Sequence, residues 1–321
     1  MSNGDGLHLR EGVVMRVLMF GRGVIATIYG RVLHAAGHDV EFYVRPGRAA
    51  EYGDEVQLDW IDGRRGPIGR RVRESFRTTL RESVGPDDGV DLVVLSVGHH
   101  RLAEAAAFLA PRLGSATVLV FGNLWDEPLA AVAPLPADRL VLGFPQAGGG
   151  FGEDGVLSAA LLPAVVIGTT AGGPSRREQE VIAAFRQAGL SIRQEGDMRG
   201  WLWIHFAADA GMFAQALRSG SLAAMIGDRR AFAEAFLTTR ELLPLLEARG
   251  VDLRRHRAAV LPFRLPRLVA PAIGWATAHV PIARRSLAAH TDPHAAEARA
   301  VLADTRAVAR RLGVPTPRLV G

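Results

Sequence analysis

Neither cysteine nor lysine occurs among the 321 residues, and each absence removes a class of chemistry. Without cysteine there is no disulfide, no thiolate nucleophile and no cysteine metal site, a composition that fits a cytoplasmic protein. Without lysine, no step can use a lysine ammonium. Histidine clusters of the HExxH type are missing as well, so no metal site is expected. Apolar runs are broken by Gly, Pro or Arg before reaching the roughly 20 residues of a membrane span. The beginning carries no signal-peptide pattern, so the expectation is a cytoplasmic chain with no membrane partner. All 38 basic residues are arginine, against 33 acids, for a net charge of +5. They fall in dispersed pairs such as Arg64-Arg65, Arg70-Arg71, Arg254-Arg255 and Arg284-Arg285. No aromatic interleaving or recognition-type helix accompanies them, which speaks against a nucleic-acid partner.

What is present is ordinary folded stock. With 48% hydrophobic and 22% charged residues, the chain is long enough for two cores rather than one. Near its start, Val17-Leu-Met-Phe-Gly-Arg-Gly-Val-Ile-Ala26 runs from an apolar strand into glycines two apart and then into a helical pattern. This GxGxxA form lays a dinucleotide pyrophosphate across a helix N-terminus: Gly21 for the tight turn, Gly23 for close backbone approach, Ala26 for helix packing. Arg22, Val24 and Ile25 complete the loop. A strand is expected over Arg16 to Phe20, a helix over Val24 to Ala36, a stop at Gly37 and a second strand over Asp39 to Val44. That strand ends in Arg45, with Arg48 beyond it, and guanidinium groups there suit a 2'-phosphate, hence NADP. The alternative is that Glu41 binds the ribose and the arginines face solvent.

Residues 1–13 read as a flexible N-terminus, 14–175 as a Rossmann-type nucleotide-binding domain and 176–321 as an all-helical domain for substrate and dimerisation, with the change of pattern falling between 170 and 195. Short strands and loops are expected from Arg48 to Arg81, and a buried parallel strand over Val90 to Val97, with Val97 and Gly98 at its carboxyl end as candidate cofactor contacts. Leu102 to Ala110 reads as a helix. Ala116 to Phe121 forms the next strand and runs into Asn123, where the carboxyl end of a parallel strand meets ligands; capping of the following turn is the other use for that side chain. Leu140 to Phe144 and Ala164 to Gly168 read as strands bracketing Gln146-Ala-Gly-Gly-Gly-Phe151, which is either a close approach to a ligand or a hairpin turn. Helices are expected over Ser175 to Ala188, Arg199 to Arg218, Leu222 to Arg249, in pieces from Arg254 to Ala289, and over Pro293 to Leu312.

His205 and Asp209 are four apart, so they share a helix face with Trp201 one turn earlier. A carboxylate beside an imidazole suits it to proton donation, although a structural His–Asp pair has the same spacing.

Tyr29-Gly30, Ala36-Gly-His-Asp-Val40, Asp91-Leu-Val-Val-Leu-Ser-Val97, the Asn123 loop, Asp197 with Trp203, and Leu312-Gly-Val-Pro-Thr-Pro317 occur in the order found in ketopantoate reductases, and the chain resembles that family over nearly its full length. The resemblance implies an α/β nucleotide-binding domain followed by an all-helical domain, a cleft between them, NADPH-dependent reduction of a 2-oxo acid, and dimers. It also implies that Gly21 and Gly23 hold the diphosphate, Arg45 the 2'-phosphate, and that Asn123 and Glu297 stand at the family's amide and carboxylate positions. The departures are specific. His205 falls where the family has its general-acid lysine, Asp209 where it has an asparagine, and Gly98 where it has another lysine or similar polar residue. The catalytic set expected here is His205, Asn123, Glu297 and Asp209, acting on an oxo or hydroxy substrate other than ketopantoate. The alternative is a catalytically inactive NADP-binding sensor or scaffold.

Overall fold

The computed structural model describes residues 14–66, 68–168, 174–289 and 295–319. The expected flexible stretch 1–13 and the expected helix start at Pro293 lie outside the described residues. Strand β1 (Arg16–Phe20) leads into α1 (Val24–Ala35) and β2 (Asp39–Tyr43), as the GxGxxA reading requires. Next come α2 (Ala49–Tyr52), β3 (Glu55–Asp62), β4 (Arg70–Arg77) and β5 (Thr79–Arg81). Then follow β6 (Leu92–Leu95), α3 (Leu102–Leu109), β7 (Thr117–Phe121), α4 (Pro128–Ala131) and β8 (Leu140–Phe144). The sheet region closes with β9 (Ala147–Phe151), β10 (Leu157–Leu161), β11 (Ala164–Gly168), α5 (Arg176–Gln187) and β12 (Ser191–Glu195).

The main sheet has the order β12-β11-β8-β7-β6-β1-β2-β5. Its stretch from β5 to β8 is parallel throughout and follows the doubly wound order of dinucleotide-binding sheets. Burial at every position of β6 and β7 explains their unbroken apolar sequences, because helices cover both faces. Strand β11 runs antiparallel to β8, and β12 parallel to β11. The sheet therefore continues to Glu195, inside the range where the pattern was expected to change.

A second sheet, ordered β4-β3-β10-β9, is built from two separate excursions of the chain. Val56, Leu58 and Trp60 alternate onto one face and join the core around α1. The stretch from Arg48 to Arg81 thus holds two eight-residue strands, longer than the sequence suggested. The glycine run is itself a strand: residues 147–151 pair antiparallel with β10, and a Cβ on Gly149 would strike the backbone of Ser158 and Ala159. Glycine has little strand preference of its own, so this strand exists through its neighbours.

The helical region comprises α6 (Met198–Ser219), α7 (Arg229–Glu241), α8 (Leu243–Ala248), α9 (Arg257–Arg264), α10 (Pro266–His279), α11 (Pro281–Ala288) and α12 (Ala296–Arg311). Helix α6 is apolar nearly all round because α7 and α12 pack along it. Its first turns join the core under β7 and β8 through Met198, Trp201 and Leu202. The stretch from Leu222 to Arg249, expected as one helix, is divided: the Asp228 carboxylate caps α7 by accepting from the N–H groups of Arg230 and Ala231, and Pro244 opens α8. Helix α11 lies on the second sheet. Ile282 packs against Ile61 and Ala160, and Arg285 pairs with Asp59 at 3.6 Å and donates to the Ser158 hydroxyl.

Candidate active site

The loop between β1 and α1 is shaped by Gly21, whose φ of 97° lies in the left-handed region open to glycine. Gly23 is the N-cap of α1, and a Cβ added to either glycine would project into open space. The first turn of α1 has no acid and no side-chain cap, which leaves its N–H groups and the positive end of the helix for an anion. Ala26 is buried in the core between α1 and the sheet, and one turn on at Gly30 a Cβ would overlap the Phe42 ring.

These glycines open into a cleft of about 1000 Å³ lined also by Arg22, Arg45, Arg48, Tyr52, Ser96, Val97 and Gly98. Arg22 and Arg48 each lie over the Tyr52 ring at 5.1 Å. Burial pushes the Arg22 guanidinium below its usual value, partly offset by Tyr52. Glu41 is tied to Arg81 at 3.0 Å. Val24 and Ile25 are half-buried and pack against the core beneath. Three buried polar atoms along this region have no partner among the described residues: Arg22 Nε, Arg48 Nε and the Ser96 hydroxyl. Orphaned polar groups beside an open glycine turn and three arginines fit a polyanionic dinucleotide.

The second constellation stands at the carboxyl ends of β7 and β8. Asn123 donates to Asp209 Oδ2 at 2.8 Å, and Asp209 Oδ1 lies 3.6 Å from His205 Nε2. Three residues singled out from sequence are thereby joined into one line. The His205 ring stacks on Trp201 at 5.2 Å with 10° between planes, and Phe144 at the end of β8 lies 4.1 Å away. Asn123 Oδ1 is buried without a partner among the described residues. Glu297 is half-buried in the first turn of α12 and outside this three-residue line. Trp201, Trp203 and Phe206 are core residues, 6% exposed or less.

Supporting contacts escaped the sequence reading. Arg249 lies between the rings of Trp125 at 4.0 Å and Trp203 at 3.6 Å and donates to the carbonyl of Trp125. Burial lowers its pKa to about 10, against the pull of Asp126 and Glu127. The Trp203 indole donates to the Asp126 carbonyl at 3.3 Å, so the loop after Asn123 is pinned to α6. His99, next to Gly98, is buried with its Nε2 2.9 Å from Asp304 on α12. Asp197 caps α6, accepting from the Gly200 N–H at 3.1 Å, and lies 2.9 Å from His256 Nε2. Apart from the local Asp197–Gly200 cap, spacing could not have shown these partners, because each comes from a distant segment. Among the described residues no group of three or more potential metal ligands occurs.

Known proteins share the fold that carries these residues. A family model described as ketopantoate reductase PanE/ApbA matches residues 17–172. A 2-dehydropantoate 2-reductase of Halobacterium salinarum (strain ATCC 700922 / JCM 11081 / NRC-1) is 28% identical over 206 residues, 62% of this chain and 64% of its own length. The match therefore spans less than two thirds of that relative. Among solved structures, the PanE/ApbA family ketopantoate reductase from Ralstonia eutropha JMP134 has 19% identity and a TM-score of 0.67, with 95% of each chain covered. D-mandelate dehydrogenase, solved with NADH and anilino(oxo)acetate, has 14% identity and a TM-score of 0.69 over 95% of each chain. These structures share the fold across both regions of the chain. The likeness to the ketopantoate reductase PanE/ApbA family model is confined to residues 17–172.

Proposed function

We propose that the chain is an NADP-dependent oxidoreductase that reduces the carbonyl of a 2-oxo acid or related ketone other than ketopantoate, with His205 as the proton donor. The observation that carries this reading is the Asn123–Asp209–His205 line at the carboxyl end of the parallel sheet, in the same chain as an open GxG turn. Bound there, NADPH would supply the hydride. Gly21, Gly23 and the N-terminus of α1 would hold the diphosphate. Arg45 and Arg48, with Arg22 beside them, would bind the 2'-phosphate, a role favoured by the engagement of Glu41 with Arg81. Val97 and Gly98 would form the wall beyond.

In reduction, charge develops on the carbonyl oxygen, and a positioned acid must neutralise it. His205 would deliver its proton there, and Asp209 would orient the ring from its Nε2 side. Asn123 holds Asp209 in place through the 2.8 Å hydrogen bond. Glu297 is proposed as a second carboxylate that would help to hold the imidazole oriented and charged. Trp201 and Phe144 confine the ring on two sides. A histidine in place of a lysine, together with Asp209 in place of an asparagine, is the reason ketopantoate is set aside. The dimeric state and a cytoplasmic setting are part of the same proposal.

A second reading has its own observation. Asp209 divides its carboxylate between Asn123 and His205, an arrangement that a purely structural pair would also make. Under it the chain binds NADP as a sensor or scaffold without turnover. Titration with NADPH followed by assay over a panel of 2-oxo acids and ketones separates the two. Binding with oxidation supports the reductase, binding without oxidation across the panel supports the sensor, and no binding removes both.

A further inference from the structure

The segment from Leu253 to Ala289 contains no Asp or Glu, yet it holds arginines at 254, 255, 257, 264, 267, 284 and 285. Within it, the junction of α9 and α10 exposes large apolar side chains: Leu268 is 73% exposed, Trp275 61%, Leu261 49% and Leu265 43%. Leu268 and Trp275 are two turns apart on α10 and so share a helix side, and Leu265 stands at the junction between the two helices. Leu265 and Leu268 also border a shallow groove with Arg240, Arg264 and Arg267. All three arginines are exposed, and among the described residues none makes an ion pair. Elsewhere arginines find acids, as in Arg71 with Asp59, Arg81 with Asp88, and Arg318 with Glu234. The acid nearest Arg240 in sequence, Glu241, already accepts from the Arg318 N–H.

Exposed leucines and a tryptophan rimmed by unpaired arginines have the amphipathic character of a surface that lies in a lipid interface. The apolar groups enter the headgroup boundary while guanidinium groups meet anionic phosphates, and long side chains can reach both zones. Self-association through this patch about a two-fold axis would set unpaired arginines against their own copies, which is unfavourable. We propose that the α9–α10 face is a peripheral docking surface for an anionic lipid bilayer. The expectation of no membrane partner rested on the lack of a long apolar run, and interfacial contact needs no such run. The surface is separate from the proposed reductase site and does not depend on it.

The test is sedimentation of the full chain with vesicles of phosphatidylcholine alone and of phosphatidylcholine mixed with phosphatidylserine. The expected result is several-fold greater recovery with the anionic vesicles, loss of that recovery in high salt, and loss in both Leu268→Ser/Trp275→Ser and Arg264→Gln/Arg267→Gln. Variant thermal melts matching wild type establish that the fold is intact. Equal recovery with both vesicles, none with either, or wild-type recovery by both variants overturns the proposal. So does light scattering that shows a wild-type dimer and a Leu268→Ser/Trp275→Ser monomer, which would make the face a contact between copies.

Discussion

Asn123 and Asp209 are 86 positions apart and meet at 2.8 Å, joining a sheet loop to the helix that bears His205. The relationship makes the imidazole's surroundings depend on both regions of the chain. Replacing His205 with Gln should lower kcat by about 10²- to 10⁴-fold, the range for loss of a positioned acid, while NADPH affinity stays near wild type. Asp209→Asn should lower kcat less and alter the pH profile. Steady-state kinetics over pH with fluorescence titration of NADPH would check both, and unchanged turnover in His205→Gln would remove it from the mechanism.

Cofactor choice is predicted to rest on the arginine side of the cleft. The double change Arg45→Ala/Arg48→Ala should weaken NADPH by roughly 10- to 100-fold, as loss of charge-assisted hydrogen bonds would, and leave NADH nearly unaffected. Paired titrations with the two nucleotides measure the difference. Equal weakening would place the 2'-phosphate elsewhere.

Gly23→Val separates binding from folding. A Cβ at this position meets nothing within 4 Å, so thermal stability should change little, whereas dinucleotide binding should fail because the side chain fills the space above the first turn of α1. Gly21→Val adds strain at φ 97° and should cost roughly 1–2 kcal/mol as well. Melting curves beside nucleotide titrations distinguish the two effects.

The cap of α6 predicts an acid-sensitive fold. Burial acts to raise the Asp197 carboxyl, but the hydrogen bonds with His256 and the Gly200 N–H, helped by the positive charge of His256 and Arg255, outweigh it and hold the group below the ordinary carboxylate range. Its stabilisation is therefore present above the unfolded value of about 3.9 and is lost as pH falls through the lower folded value. Asp197→Asn should reduce stability at neutral pH and flatten the loss on acidification. Thermal melts from about pH 7 down to pH 3 would show the wild-type and variant curves converging; parallel curves would contradict the assignment.

Arg249 should prove a positioning residue. Removing it takes away two ring contacts and the bond to the Trp125 carbonyl, so Arg249→Met should cost about 1–3 kcal/mol and reduce kcat through the Asn123 loop. Denaturant unfolding reports the first and turnover the second. A variant that loses stability but keeps full kcat would show that the loop holds its shape without the guanidinium.

The parts legible in sequence were those whose cause is local. β1, α1 and β2 follow from periodicity and turn glycines over a few tens of residues, and His205 with Asp209 follows from the helical repeat. The illegible parts depend on partners far along the chain. Residues 147–151 form a strand because β10 needs a neighbour, which glycines do not announce. His99 acquires meaning only from Asp304, and Arg249 only from two tryptophans on different elements. Asn123 lay between these cases: its place at a strand end was readable, but the carboxylate it would meet was not.

The second sheet ties the two halves of the molecule together. One of its faces joins the core around α1, whose N-terminus carries the open glycine turn, and Phe151 reaches the cleft itself. Its other face is gripped by α11 through Ile282 and Arg285. The second sheet is thus packed between α11 and the core behind the glycine turn, so the shape of the cleft wall at Phe151 is tied to the seating of a helix that contributes nothing to that wall.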